Sequence, residues 1–420
     1  MPHTPSSHPD PSATQQLHAH IAGLRSSYLR SLQRMVAIDC GSWNAAGVNE
    51  VGGLAGELLQ GIGFSVDRIP VPNARGRRLG DAVIARRMGR LDREAGGRVI
   101  LLLAHLDTVF PDGTARERSF HIDGDLAYGP GVTDDKAGVL SAITAARALV
   151  ETGREHYAEL IIALTPDEEI GSPGSRPLIE RLAQAADYAL CLECARENGD
   201  IVQARKGVVD LRVRIKGTAA HAGVEPERGA NAALAAARLI VAIEELNLRN
   251  PGVSINTAVI RAGTRPNVVC DLADIELEVR AETLAALLAT QRDIENLANR
   301  CWVKGTTTTV TAGELCPPME STSASRAMAA TAAAVANNLG FGFEAVRTGG
   351  VADANYVSSC GTPTLDGLGP VGGADHSPGE WLDLSSVVPR TTMVADLITR
   401  LGSGHLAAEA APQAAETAPQ

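Results

Sequence analysis

The chain has 420 residues, which at ordinary domain sizes makes two or three domains. Hydrophobic residues make up 45%, enough for a packed core, and aromatics only 3%, so a ligand site built on ring stacking is not expected. The net charge of -11 makes nucleic acid a poor partner, since phosphate binding needs a basic surface, and no stretch approaches the ~18 apolar residues of a membrane span.

Residues 1–16 are rich in Pro, Ser and His and are expected to form a disordered arm. His3, His8, His18 and His20, in or beside it, are expected to be solvated rather than metal-bound. No apolar core behind a basic start marks a secretory leader. Seven cysteines, an odd number without close pairing, make no disulfide framework. Cys191 and Cys194 have C-x-x-C spacing, but no second pair completes a zinc site, so reduced thiols and a cytoplasmic protein are expected.

A strand buried on both faces is expected at 98–104 (RVILLLA), then a helix over about 137–150, a second buried strand at 160–164 (LIIAL), a helix after Gly174 and a strand at 188–192. This alternation predicts an α/β domain with a mostly parallel sheet over 17–206. From Gly207 the pattern changes. Val209, Leu211, Val213 and Ile215 alternate with Asp210, Arg212, Arg214 and Lys216, and Ile275, Leu277 and Val279 repeat the period of two. With a long helical stretch at 230–246 between them, they predict a small α+β module over 207–317. The α/β texture returns over 318–402, with helices near 323–339 and 387–401, and the Ala/Pro/Glu-rich 403–420 is expected to be a disordered tail.

The residues able to do chemistry stand at strand ends and in glycine-rich loops. The first buried strand runs into His105 and Asp107, where open α/β sheets gather functional groups. Asp107, two positions on, lies on the same side of an extended chain, from where it can accept the second imidazole N–H. In GPGVTDDKAG, Asp135 reads as a helix cap, whereas Asp134 is placed to reach a cleft. Glu168 and Glu169 follow the second strand; as neighbours they repel unless a cation is near, and a solvated acidic loop is the plain alternative. Glu193 closes the third strand and His376 sits in GADHSPGE. Two His and three carboxylates overfill one catalytic zinc site, which takes three protein ligands and water, but suit two metals with one bridging carboxylate.

The blocks HLDTV, GPGVTDDKAG, PDEEIGSPGS, LE at 192–193, GTAAHAG, RTGGVADA and GADHSPGE resemble, in order, those of the zinc carboxypeptidase and deacylase family. That family includes bacterial glutamate carboxypeptidase, acetylornithine deacetylase, succinyl-diaminopimelate desuccinylase and aminoacylase, and the likeness is greatest to the glutamate carboxypeptidase branch. The resemblance implies two zinc ions, replaceable by cobalt or manganese. It implies Asp134 as the bridging ligand, His105 and Glu193 completing one site, and Glu169 and His376 the other. It further implies Glu168 as general base, Asp107 orienting His105, and a lid and dimerisation module at 207–317 whose His221 reaches the reaction centre. Asn267, Arg280 and Arg347 fall at or near positions that bind a substrate carboxylate. Asp135 and Pro378 depart from the common pattern, the latter putting transferred specificity in question. The implied reaction is hydrolysis of an amide next to a free carboxylate, in a dipeptide or N-acyl amino acid. An N-acyl-amino-acid deacylase, a two-metal phosphoesterase and a non-catalytic metal-binding scaffold are the rival readings; the last two fit less well with an acidic chain that carries Glu168.

Overall fold

The computed structural model describes residues 11–406. They divide into two compact units: the first holds the chain up to Gln203, Ser321–Arg347 and the chain from Ala352, and the second holds Ala204–Glu320 with Thr348–Val351.

The first unit opens with helices α1 (Pro11–Val36) and α2 (Ala45–Gly61), followed by strands β1 (Ser65–Pro70), β2 (Asp81–Met88) and β3 (Val99–His105). Helix α3 (Lys136–Glu151), strand β4 (Glu159–Thr165), helix α4 (Arg176–Ala185) and strand β5 (Tyr188–Cys191) come next. The sheet runs β1-β2-β4-β3-β5, with Thr364–Leu365 at its far edge. β4, β3, β5 and Thr364–Leu365 pair in parallel, while β1 and β2 add an antiparallel edge. β3 is buried along its whole length, as a central strand covered on both faces must be.

The amino-terminal arm does not have the predicted disorder where it is described. Residues 11–16 belong to α1, whose Leu17, Ile21, Tyr28, Leu32 and Met35 repeat at helical spacing and are buried. α1 packs against α3 and the carboxyl-terminal helix Leu384–Gly402. Thr14 is fully buried and donates to Asp396 Oδ2 at 2.8 Å. Polar composition concealed a helix with one apolar face. His20 is not simply solvated either: its Nε2 lies 2.8 Å from Glu151 Oε2, and His18 Nδ1 lies 3.4 Å from Thr392 Oγ1. His3 and His8 lie outside the described residues, as does the tail from 407 on; before it the helix closes with Ser403 Oγ donating to Thr399 O at 2.8 Å.

The second unit contains β6 (Gly207–Lys216), α5 (Ala232–Arg249), β7 (Val253–Ala262), β8 (Leu272–Ala281), α6 (Leu284–Ala298) and β9 (Thr307–Cys316). Its antiparallel sheet has the order β7-β8-β6-β9. The alternating residues Val209, Leu211, Val213 and Ile215 join Ile275, Leu277 and Val279 in a core with Ala235, Leu239 and Ile243 of α5 and Leu287 and Ile294 of α6. Asn231 and Thr283 cap the two helices, accepting from the amides of Leu234 and Ala286. The other sheet face carries Arg214–Asp274 and Arg212–Glu276 pairs at 2.7 and 3.0 Å, half or more exposed on the arginine side and so worth little stability each. Residues 348–351 fall with this unit, whereas the sequence pattern had them in the returning segment.

Candidate metal centre

Parallel strands end along one edge, and three of the five expected ligand segments leave the first sheet there. His105 is the last residue of β3 and stands in register with Thr165, the last of β4. Glu168 and Glu169 follow in a single turn of 3-10 helix, and Glu193 comes two residues beyond β5. Asp134 precedes α3 after a turn that needs glycine, Gly131 having φ 68°. The Asp134–Asp135 peptide is cis. Ala374 and His376 both adopt left-handed backbone, φ 55° and 61°, a conformation that costs a non-glycine residue and persists only where its surroundings impose it. Here Ser377 binds back to Ala374 O through its amide at 3.1 Å and its hydroxyl at 2.7 Å, and Arg118 holds Ser377 O at 3.0 Å.

The five side chains converge as two groups sharing one residue. His105, Asp134 and Glu193 offer ligand atoms all within 4.8 Å of one another, and so do Asp134, Glu169 and His376. His105 Nε2 is 2.9 Å from Asp134 Oδ1 and 3.8 Å from Glu193 Oε1. His376 Nε2 is 3.2 Å from Asp134 Oδ2 and 3.1 Å from Glu169 Oε2. Each oxygen of Asp134 thus faces a different histidine. Two ligands about 2.0–2.1 Å from a tetrahedral zinc stand roughly 3.3 Å apart, so these donor spacings and the His/carboxylate donor set fit a cation in each group.

The electrostatics make the same point. Burial disfavours a charged His105 ring, but Glu193, Asp107 and Asp134 outweigh it and hold the imidazole well above its ordinary range. Hydrogen bonds to Asp134 and Glu169 lift His376 to about 10. Burial opposes the charge on Asp134, yet the two histidines hold its carboxyl below the usual range. Burial and then Glu193 push Glu168 well above the carboxylate range. So many acids in one place are stable only with positive charge among them.

The paired glutamates have separate environments. Glu169 faces His376, whereas the Glu168 carboxylate makes no hydrogen bond or ion pair among the described residues. Asp107 organises both: fully buried, it accepts from the amides of Glu168 and Glu169 at 3.1 and 3.2 Å and from Ser42 Oγ at 2.7 Å. The second imidazole nitrogen of His105 lies 3.0 Å from the Asp107 backbone carbonyl and 3.5 Å from its carboxylate, so the backbone is the nearer partner.

Two residues escaped the sequence reading. Asp135 makes no side-chain cap hydrogen bond; it is buried beneath the site, where its Oδ2 accepts the His105 amide at 3.2 Å. Glu380, the last residue of GADHSPGE, is 1% exposed and accepts three amides of the Asp134 loop. A glutamate just ahead of the strand Trp381–Asp383 was the only available signal.

His221, Asn267 and Arg280 belong to the second unit. His221 and Val268 form an isolated antiparallel bridge, and Ala222 N donates to Asn267 O at 3.1 Å, so His221 and Asn267 sit on adjoining exposed segments. Arg280 is engaged elsewhere: it meets Glu278 at 2.6 and 3.0 Å and Gly349 O at 2.6 Å, and a substrate carboxylate would compete with Glu278. Arg347 lies in the first unit and is exposed. Beside Glu169 a cleft of about 420 Å3 is lined by Trp43, Arg77, Thr108 and Phe110. The scarcity of aromatics therefore did not exclude them from the neighbourhood of the site. A larger groove, about 870 Å3 between α5 and α6, holds no ligand cluster, so size does not locate the chemistry.

Residues 101–400 match the model of Peptidase family M20/M25/M40. The chain is 30% identical over 380 residues to carboxypeptidase G2 of Pseudomonas sp. (strain RS-16), covering 90% of this chain and 89% of that protein. It is 28% identical over 242 residues to acetylornithine deacetylase of Proteus mirabilis, covering 54% and 59% of the two chains. The crystal structure of aminopeptidase PepT from Bacillus cereus shares the fold, with TM-score 0.77 and 23% identity over 90% of this chain and 98% of that one. With its ligand-like clusters at the carboxyl edge of a parallel sheet, this chain belongs to Peptidase family M20/M25/M40 and is a metal-dependent peptidase or amidohydrolase.

Proposed function

We propose that the protein is a di-zinc hydrolase that cuts an amide next to a free carboxylate, in the manner of a glutamate carboxypeptidase. The observation that carries this reading is Asp134 standing in both ligand groups while Glu168 remains uncommitted beside them. His105 and Glu193 would complete one zinc site, Glu169 and His376 the other. Bound there, the ions would polarise the amide carbonyl and lower the pKa of water. Glu168, whose carboxylate is left without a hydrogen bond or ion pair among the described residues, takes the proton of the attacking water and returns it to the leaving nitrogen. His221 is proposed to steady the oxyanion, and Asn267, Arg347 and Arg280, the last by exchanging Glu278 for the substrate, to bind the substrate's carboxylate, a two-pronged task suited to guanidinium.

The second unit is read as a lid and dimerisation domain of a homodimer. Leu234, Val241 and Leu248, spaced by seven on α5, are 44%, 66% and 82% exposed, which supports a partner on that face. All seven cysteines are free, which supports a reducing, cytoplasmic setting.

The test is a panel of dipeptides and N-acyl amino acids, each with a free and an amidated carboxylate, run with metal content measured alongside. Cleavage should require the free carboxylate. Glu168→Gln should retain metal and lose ~10²–10⁴-fold in turnover. Full activity in that variant, or indifference to amidation, would refute the proposal.

A further inference from the structure

We propose that Glu380 is a positioning residue for the metal centre: its carboxylate, from the loop bearing His376, holds the backbone of the loop bearing Asp134 and thereby sets the two ligand groups against each other. Oε2 accepts the Gly131 amide at 2.8 Å, and Oε1 accepts those of Thr133 and Asp134 at 2.9 and 3.1 Å. A carboxylate that is 1% exposed and bonded to three amides of one turn is a fixed element of the site, not a surface charge. It belongs to neither ligand group, so it acts on the metal through the ligand loops it holds.

The same turn is gripped from its carbonyl side. Lys136, also buried, donates through Nζ to Pro130 O at 2.9 Å and Ile38 O at 3.2 Å. Amides held by Glu380 and a carbonyl held by Lys136 leave the backbone of residues 130–134 little freedom. This matters because the oxygens of Asp134 face His105 and His376 separately, so one small shift of its backbone alters both groups together. Glu380 also lies four residues after His376, whose left-handed backbone must be imposed by its loop. One side chain therefore couples the two ligand loops.

The inference rests on the ligand assignment above, and the wild-type protein separates the two possible failures. Zinc per chain is measured by emission spectroscopy and zinc affinity by chelator competition, for wild type, Glu380→Gln and Glu380→Asp. Glu380→Ala strands three amides and can fail to fold, so the conservative variants decide. Gln keeps one oxygen for Thr133 and Asp134 but turns an NH2 toward the Gly131 amide; Asp keeps the charge and falls short by one methylene. Both are expected to fold, by circular dichroism, yet to bind zinc ~10–100-fold more weakly, the loss found when groups supporting metal ligands are changed. At saturating zinc, kcat should fall while KM holds. A folded Gln variant with wild-type affinity, or full rescue by Asp, overturns the positioning role. A wild-type chain that binds no zinc sinks the centre itself.

Discussion

Gly138, in the first turn of α3, offers a demanding test of how the centre is packed. A Cβ built there would lie 1.9 Å from Asp135 Oδ1 and 2.1 Å from Leu192 O. Real Cβ contacts essentially never fall below 3.0 Å, so Gly138→Ala requires a displacement of about 1 Å. Neither neighbour yields easily. Leu192 O is backbone at the end of β5, next to Glu193, and Asp135 is buried and holds the His105 amide. Alanine favours the helix by about 1 kcal/mol, whereas overpacking of a filled site typically costs about 1–3 kcal/mol, so a net loss of up to about 2 kcal/mol is expected. The displaced helix start carries Asp134 away from Glu193, and misplacement on the order of 1 Å can cost ~10²-fold in turnover. Urea unfolding of metal-free protein measures the first effect, and turnover at saturating metal on an amide found by the substrate panel the second. An alanine variant as stable and as active as the wild type would show that this contact does not constrain the centre.

Other outcomes follow from side chains around the site. Burial pushes Asp353 up to about 7, against hydrogen bonds from Ser172 and Thr165, so the folded metal-free protein keeps this proton to higher pH than the unfolded chain does. Its stability should therefore decline as pH rises from the ordinary carboxylate range toward 7, and Asp353→Asn should remove that part of the slope in urea melts at pH 5 and 8. Arg390, 2% exposed, donates to Gly369 O, Gly199 O and Gly367 O at 2.5, 2.8 and 2.8 Å. Arg390→Met strands three carbonyls and should cost about 2–5 kcal/mol in chemical denaturation. Because Gly369 N bonds Glu193 O at 2.9 Å, the same variant should bind metal more weakly when folded; unaltered stability would remove Arg390 as the anchor of this loop.

Local patterns carried much of the architecture. The apolar runs became β3 and β4, the period of two in Val209–Ile215 became a one-sided strand, and the helices near 137–150 and 323–339 formed as Lys136–Glu151 and Ser323–Asn338. Such elements are legible because burial imposes a repeat on consecutive residues. Where composition stood in for periodicity the reading failed, as at residues 11–16, whose polar side chains decorate a helix with a buried face. The antiparallel edge strands β1 and β2 went unread as well, β1 being largely exposed and without an apolar run.

For the site, residue types and motif order named five candidate ligands, because metal chemistry needs His and carboxylates and open sheets present them at strand ends. Their convergence is a matter of tertiary structure: parallel registry aligns the ends of β3, β4 and β5, and two loops complete the set. The distinction between Glu168 and Glu169, the burial of Asp135 and the grip of Glu380 on a turn 246 to 249 residues away likewise depend on long-range contacts. A carboxylate's partners are decided by what folding brings within about 3 Å of it, and nothing in its immediate sequence encodes that distance.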